Sequence, residues 1–105
     1  CTLFCNIKRS SHLLARYVRH LDAQPTSNTS DQRRLTLLYY INPSWVPSDG
    51  GCLRLYPHNQ EDSQTEMFVD VAPLGDRLLI FQSRTVEHEV LPSHTLRFSL
   101  TVWLY

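Results

Sequence analysis

His20 and Asp22, separated by Leu21, together with His88 and Arg97 far downstream, are the residues of this chain whose types and spacing could do chemistry. Two imidazoles and one carboxylate suit Fe(II), because they occupy one face of the ion and leave positions opposite for a bidentate organic acid and dioxygen. In an extended chain alternate side chains share a face, so His20 and Asp22 point together while Leu21 turns into the other layer. A third ligand must come from another strand. Val86-Glu87-His88-Glu89-Val90 offers one, and its alternation sends both glutamates away from the face His88 uses. The H-x-D tripeptide alone arises often by chance, so the distant partners carry the argument.

Arg97 adds an anion site. A guanidinium directed into a pocket is costly unless an anion pairs with it, and its planar fork accepts a carboxylate through two parallel hydrogen bonds. Arg97 is therefore the natural anchor for the distal end of a dicarboxylic co-substrate whose other end chelates the metal. Tyr40, on the same alternation face as Thr36 and Leu38, could donate its hydroxyl to that carboxylate, and Thr101 could do likewise.

The elements that must position these residues read as strands. Residues 17–21, 35–41, 52–56, 67–71, 78–81, 87–91 and 96–104 are short and rich in β-branched and aromatic side chains. Polar loops at 25–31 and 59–65, and turns at 47–51 and 74–76, separate them. One stretch, 10–16, has weak helical periodicity and is too short to stand alone; it reads as a helix or a loop. Many short strands at regular intervals predict an antiparallel sandwich or jelly roll, with a small-molecule site at its mouth. Along the last strand Arg97, Ser99, Thr101 and Trp103 fall on one side and Phe98, Leu100, Val102 and Leu104 on the other. If the first face lines the pocket, the apolar second face must be covered from outside, most simply by helices.

The 105 residues allow one domain. Ten basic residues balance ten acidic ones, and Lys8 is the only lysine, so nothing predicts a nucleic-acid groove. No apolar run reaches membrane-spanning length and no basic-then-apolar leader opens the chain. Cys1, Cys5 and Cys52 are odd in number and lack C-x-x-C spacing, which argues against a disulfide framework or structural zinc and for a reducing compartment, the cytoplasm or nucleus. Asn28-Thr29-Ser30 fits a glycosylation acceptor, which matters only in a secreted protein. The chain has no initiating methionine and stops at Tyr105 within a strand pattern, so it is expected to be a fragment.

The candidate residues stand in stretches that occur in a set order: Tyr17-Val18-Arg19-His20-Leu21-Asp22, Tyr39-Tyr40-Ile41-Asn42 with Trp45, and Gly50-Gly51-Cys52-Leu53-Arg54-Leu55-Tyr56-Pro57. Asp76-Arg77-Leu78-Leu79-Ile80-Phe81, His88-Glu89-Val90, and Arg97 with Thr101-Val102-Trp103 follow. Together they resemble the 2-oxoglutarate- and Fe(II)-dependent prolyl 4-hydroxylases, most of all the hypoxia-inducible-factor prolyl hydroxylase (Egl nine) branch. That resemblance implies an all-β double-stranded β-helix, a jelly roll lacking the flanking helices of the full domain, so that residues 1–105 are part of a dioxygenase catalytic domain. It implies that His20, Asp22 and His88 bind iron and that Arg97, assisted by Tyr40, binds the C5 carboxylate of 2-oxoglutarate. Leu38, Leu53, Thr101 and Trp103 match positions lining the same pocket. The implied reaction consumes O2, converts 2-oxoglutarate to succinate and CO2, and hydroxylates C4 of a prolyl residue in a protein or peptide, with ascorbate as reductant and a monomeric enzyme.

Some features depart from that pattern or bear on the branch. Arginine at 97 is similar to the hypoxia-factor branch, whereas collagen-type enzymes usually place lysine there. The family's pocket tyrosine before H-x-D has no counterpart in Leu3-Phe4-Cys5-Asn6, the loop at 7–15 is not glycine-rich, and the loop at 57–66 is longer and more polar. Within the same chemistry, the competing substrate is a ribosomal or other intracellular protein. From a different class, a non-catalytic jelly-roll binding module would explain the strands but leave the triad and Arg97 as coincidences. A Ser-His-Asp hydrolase is weaker, since Ser83, Ser93 and Ser99 lack a nucleophile-elbow context. His12, His58 and His94 read as solvated.

Overall fold

The computed structural model describes residues 4–10, 15–23, 32–57 and 66–105, the stretch 4–10 and residue 15 as backbone alone. Eight strands follow one another: β1 (Phe4–Ser10), β2 (Ala15–His20), β3 (Leu35–Tyr40), β4 (Leu53–Tyr56), β5 (Val69–Val71), β6 (Leu78–Gln82), β7 (Glu87–Ser93) and β8 (Arg97–Leu104). One turn of 3-10 helix, Pro47–Asp49, precedes the Gly50-Gly51 bend. Among the described residues no helix is long and apolar enough to cross a membrane.

Two four-stranded sheets face each other, ordered β1-β8-β3-β6 and β2-β7-β4-β5, and every pairing is antiparallel. The chain crosses from one sheet to the other after nearly every strand, the β4–β5 pair being the exception. That is the jelly-roll arrangement the strand spacing predicts. Leu38, Tyr40, Leu53 and Phe81 form the buried cluster between the sheets, with Leu55, Val71, Leu79, Val86 and Val90 packed against it. Each comes from a strand, or its immediate flank, whose alternation turns it inward.

The predicted strands match the observed ones to within two residues at each end. β1 is an addition, a strand that local composition does not announce; pairing with β8 from Phe4↔Trp103 to Ser10↔Arg97 makes it one. The weak helical reading of 10–16 is corrected where the chain is described: Ser10 ends β1, and Ala15 and Arg16 open β2. Ladder hydrogen bonds to β8 and β7 outweigh a marginal local preference there. Residues 11–14, with His12, the polar loop at 25–31, with Asn28, the polar loop at 59–65, and His58 just before it lie outside the described residues. So do the side chains of 4–6, where the family tyrosine has no counterpart.

Candidate metal centre and anion pocket

Cross-strand register brings the two histidines together. β2 and β7 pair His20 directly with His88, and β4 places Leu55 opposite His88 on the other side. β2 stops at His20, so Asp22 lies in the bend that follows rather than in an extended strand, although it does share the histidines' side of the sheet. Its Oδ1 is 3.3 Å from His20 Nε2 and 3.4 Å from His88 Nε2. One ligand atom from each of the three residues falls within 4.8 Å of the others.

Hydrogen bonding states which ring atoms face the cluster. His20 Nδ1 lies 2.8 Å from the Val18 carbonyl and His88 Nδ1 lies 3.2 Å from the Val86 carbonyl. A carbonyl only accepts, so each Nδ1 carries the proton and a neutral ring presents a bare Nε2 lone pair. Two such nitrogens and a carboxylate oxygen converging on one point are all acceptors, which repel unless a metal ion or a proton on Nε2 lies among them. A backbone partner on the far nitrogen is also the usual way a metal-binding histidine is oriented. The residues present thus fit a divalent metal with mixed nitrogen and oxygen preference, Fe(II) among them.

The second Asp22 oxygen is held by donors. Thr36 Oγ1 donates to Oδ2 at 2.6 Å and Trp103 Nε1 donates to the same atom at 3.2 Å. The β3–β8 register explains the convergence, since it sets Thr36 directly opposite Trp103. Burial alone would raise the Asp22 pKa, but in the metal-free site hydrogen bonds from His20 and His88, which require a proton on Nε2, and from Thr36 hold its carboxyl well below the usual carboxylate range; a bound cation would take the place of those protons.

The pocket continues from this cluster to Arg97. A cavity of about 380 Å³ is lined by His20, Asp22 and His88 at one part and by Arg97 at another, with Leu38, Leu53, Thr101 and Trp103 in its wall. Arg97 is only 8% exposed and Tyr40 is fully buried. Arg97 Nε donates to the Gly51 carbonyl at 2.8 Å and Nη2 reaches the Tyr40 hydroxyl at 3.4 Å, which leaves its other N–H groups to the cavity. Burial pushes the Arg97 pKa down and the Tyr40 pKa up, and each partially offsets the other's shift. Among the described residues no carboxylate pairs with Arg97, so an anion from outside is what this buried charge calls for.

Gly51 shapes the arginine's seat. Its φ is +75°, and a Cβ there would come within 2.9 Å of Arg97 Cδ and 3.0 Å of Ser93 Oγ. Every candidate residue named from the sequence therefore lies in or against one cavity: His20, Asp22, His88, Arg97, Leu38, Leu53, Thr101 and Trp103 line it, and Tyr40 supports Arg97 from behind. Glu87 and Glu89 turn outward as expected, to Arg19 and to Tyr56. Sequence reasoning missed Thr36 as a partner of Asp22, Ser83 behind it and the Gly51 carbonyl under Arg97. Only Thr36 had a signal, its place on the Leu38 and Tyr40 face.

Comparison with known proteins agrees with this geometry. Residues 6–105 match the 2OG-Fe(II) oxygenase superfamily. The chain is 44% identical over 90 residues to a hypoxia-inducible factor prolyl hydroxylase of Caenorhabditis elegans, covering 84% of this chain and 11% of that protein. It is 40% identical over 91 residues to human prolyl hydroxylase EGLN3, covering 85% of this chain and 34% of that one. The chain thus spans about a third or less of the length of these relatives. A prolyl-4-hydroxylase of Pseudomonas putida superposes with a TM-score of 0.81 at 34% identity, covering 97% of this chain and 51% of that one. A prolyl hydroxylase of Trichoplax adhaerens, solved with a hypoxia-inducible factor oxygen degradation domain peptide, gives 0.78 at 37% identity, covering 94% and 41%. A match over nearly its whole length means that the chain belongs to the 2OG-Fe(II) oxygenase superfamily.

Proposed function

We propose that residues 1–105 form part of the catalytic domain of a 2-oxoglutarate- and Fe(II)-dependent dioxygenase that hydroxylates C4 of prolyl residues in a protein of the hypoxia-inducible-factor type. The observation that carries the reading is the convergence of His20 Nε2, His88 Nε2 and Asp22 Oδ1 in one cavity with a buried Arg97 that lacks a carboxylate partner among the described residues. Likeness to the Caenorhabditis and human prolyl hydroxylases, and to the Trichoplax enzyme seen with its peptide, supports the substrate class.

In this reading His20, Asp22 and His88 hold the metal, and their backbone and hydroxyl partners keep the ligand atoms aimed before it arrives. Arg97 receives the C5 carboxylate of 2-oxoglutarate, with the Tyr40 hydroxyl beside it and Thr101 in the same wall. Leu38, Leu53 and Trp103 shape the cavity and exclude water from it. Bound Fe(II) supplies the oxidising chemistry by which O2 inserts one oxygen into the prolyl C–H bond and the other into succinate, as 2-oxoglutarate loses CO2. The chain's own part is to position the co-substrate and peptide in a protected site. Ascorbate as the reductant that maintains Fe(II), a monomeric state, and work in the cytoplasm or nucleus belong to the same proposal.

The test is iron-dependent decarboxylation of 2-oxoglutarate by the full-length protein, with mass spectrometry for a gain of one oxygen on proline-containing peptides. Loss of both in His88→Ala is the expected result. Retained turnover in that variant would sink the ligand assignment.

A further inference from the structure

Ser83 lies outside the cavity and hydrogen-bonds none of the three candidate ligands directly, yet two independent hydrogen-bonded routes lead from it to Asp22. The first runs through side chains. Thr36 has a single hydroxyl proton, and Asp22 Oδ2, an acceptor, takes it at 2.6 Å. In the 2.8 Å contact between Thr36 Oγ1 and Ser83 Oγ, Ser83 must then be the donor. The second route runs through the backbone: Ala23 N–H, next to Asp22, donates to the Ser83 carbonyl at 3.0 Å. Ser83 N–H in turn donates to the Arg34 carbonyl at 2.9 Å, beside the start of β3. Ser83 is wholly buried and Ala23, Thr36 and Phe81 around it are nearly so, so water does not compete for these bonds.

We propose that Ser83 is a positioning residue for the metal-binding carboxylate, fixing Asp22 through Thr36 so that Oδ1 alone faces His20 and His88. This rests on the metal-site reading given above. The backbone route could be supplied by almost any residue; the side-chain route needs a hydroxyl. With the chain Ser83→Thr36→Asp22 intact, Thr36 Oγ1 accepts one bond and gives one, which fixes its rotation and aims its proton at Oδ2. Trp103 Nε1 meets the same oxygen from the adjacent strand, so Oδ2 has two donors and no incentive to swing toward the ion. Remove the Ser83 hydroxyl and Thr36 is free to turn to other acceptors. The carboxylate could then rotate, and Oδ2 would compete with Oδ1 for the position facing His20 and His88. Outer partners of this kind typically change metal affinity by about 10-fold or more when deleted.

The experiment titrates Co(II) alone into the full-length metal-free protein, reading affinity and the visible absorption band of the bound ion, with circular dichroism as the folding control. Ser83→Ala and Thr36→Val should each weaken Co(II) by about 10-fold and alter the band, while Thr36→Ser, which keeps the hydroxyl relay, should stay within about 2-fold of the parent. The double variant Ser83→Ala/Thr36→Val should lose little beyond either single change, because both break one chain. Ser83→Cys keeps the volume and weakens the donor, and it carries the test if Ser83→Ala does not fold. Parent affinity with an unaltered band in the folded Ser83 variant, or additive losses in the double variant, would overturn the proposal. His88→Ala is the separate control: if it binds Co(II) as the parent does, the metal-site reading itself fails, whatever Ser83 does.

Discussion

At the scale of single residues, Arg97 is a charge the fold has buried without a carboxylate partner among the described residues. Its Nε is committed to the Gly51 carbonyl and its Nη2 to Tyr40, so the remaining N–H groups have a fixed direction. Arg97→Ala should weaken 2-oxoglutarate by roughly 10- to 100-fold, the loss of a charge-assisted bond of about 1.5–3 kcal/mol. Arg97→Lys should recover only part of that, because an ammonium cannot hold Gly51 and still present a fork. Calorimetric titration of 2-oxoglutarate checks both, and equal affinity in the alanine variant would refute the role. Asp22 makes a different prediction. Its carboxyl is held below the usual range in the fold, whereas an unfolded aspartate titrates near about 4. Below about pH 5 the unfolded chain therefore binds more protons than the folded one, and the stability Asp22 contributes at neutral pH is lost as pH falls. The melting temperature of the metal-free protein should drop more steeply from pH 6 to 3 than that of Asp22→Asn; parallel slopes would count against it. His20, Asp22, His88 and Arg97 were legible in sequence because their types are chemically unusual together. Ser83 was not, since a buried serine acquires meaning only from the Thr36 and Ala23 that tertiary structure brings to it.

At the scale of elements, alternation was the readable signal and pairing was the hidden one. The face assignment along β8 holds: Arg97, Ser99 and Thr101 are buried, while Phe98, Leu100, Val102 and Leu104 are half-buried on the other side. β1 escaped notice because Phe4–Ser10 mixes polar and apolar residues without a strong local pattern, and its strand character comes from β8. H-x-D was read as a strand tripeptide, but the strand ends at His20 and the bend carries Asp22 inward. The Gly50-Gly51 element shows how a turn reaches the site. Both glycines have positive φ, Gly51 N–H donates to the Pro92 carbonyl at 2.9 Å, and the Gly51 carbonyl receives Arg97. Gly51→Ala adds a methyl against Arg97 and Ser93 and imposes a left-handed conformation costing about 1–2 kcal/mol. We expect a lower melting temperature together with weaker 2-oxoglutarate binding. A stability loss with unchanged affinity would show that Gly51 serves the turn alone.

At the scale of the whole molecule, the two sheets present unlike outer faces. On the β2-β7-β4-β5 sheet Arg19 stacks on the Tyr56 ring at 3.6 Å and bridges Glu66 and Glu87, while Arg54 stacks on Phe68 at 3.8 Å and grips Asp70 with two hydrogen bonds. Such a paired and partly exposed ladder is at ease in water. The β1-β8-β3-β6 sheet turns outward Leu78 and Ile80, both 54% exposed, from an edge strand, beside half-buried Leu37, Leu100 and Val102. An apolar face next to a strand edge that is unpaired among the described residues favours association unless something covers it. The 105 residues expressed alone should therefore bind a hydrophobic dye and self-associate, whereas a longer protein containing them should do neither. Ile80→Lys should shift the short chain toward monomer, since Ile80 points away from the cavity and its change leaves the Asp22 site intact. Analytical ultracentrifugation decides it: an unshifted association constant in Ile80→Lys, or equal dye binding by the longer protein, would mean that this face needs no cover.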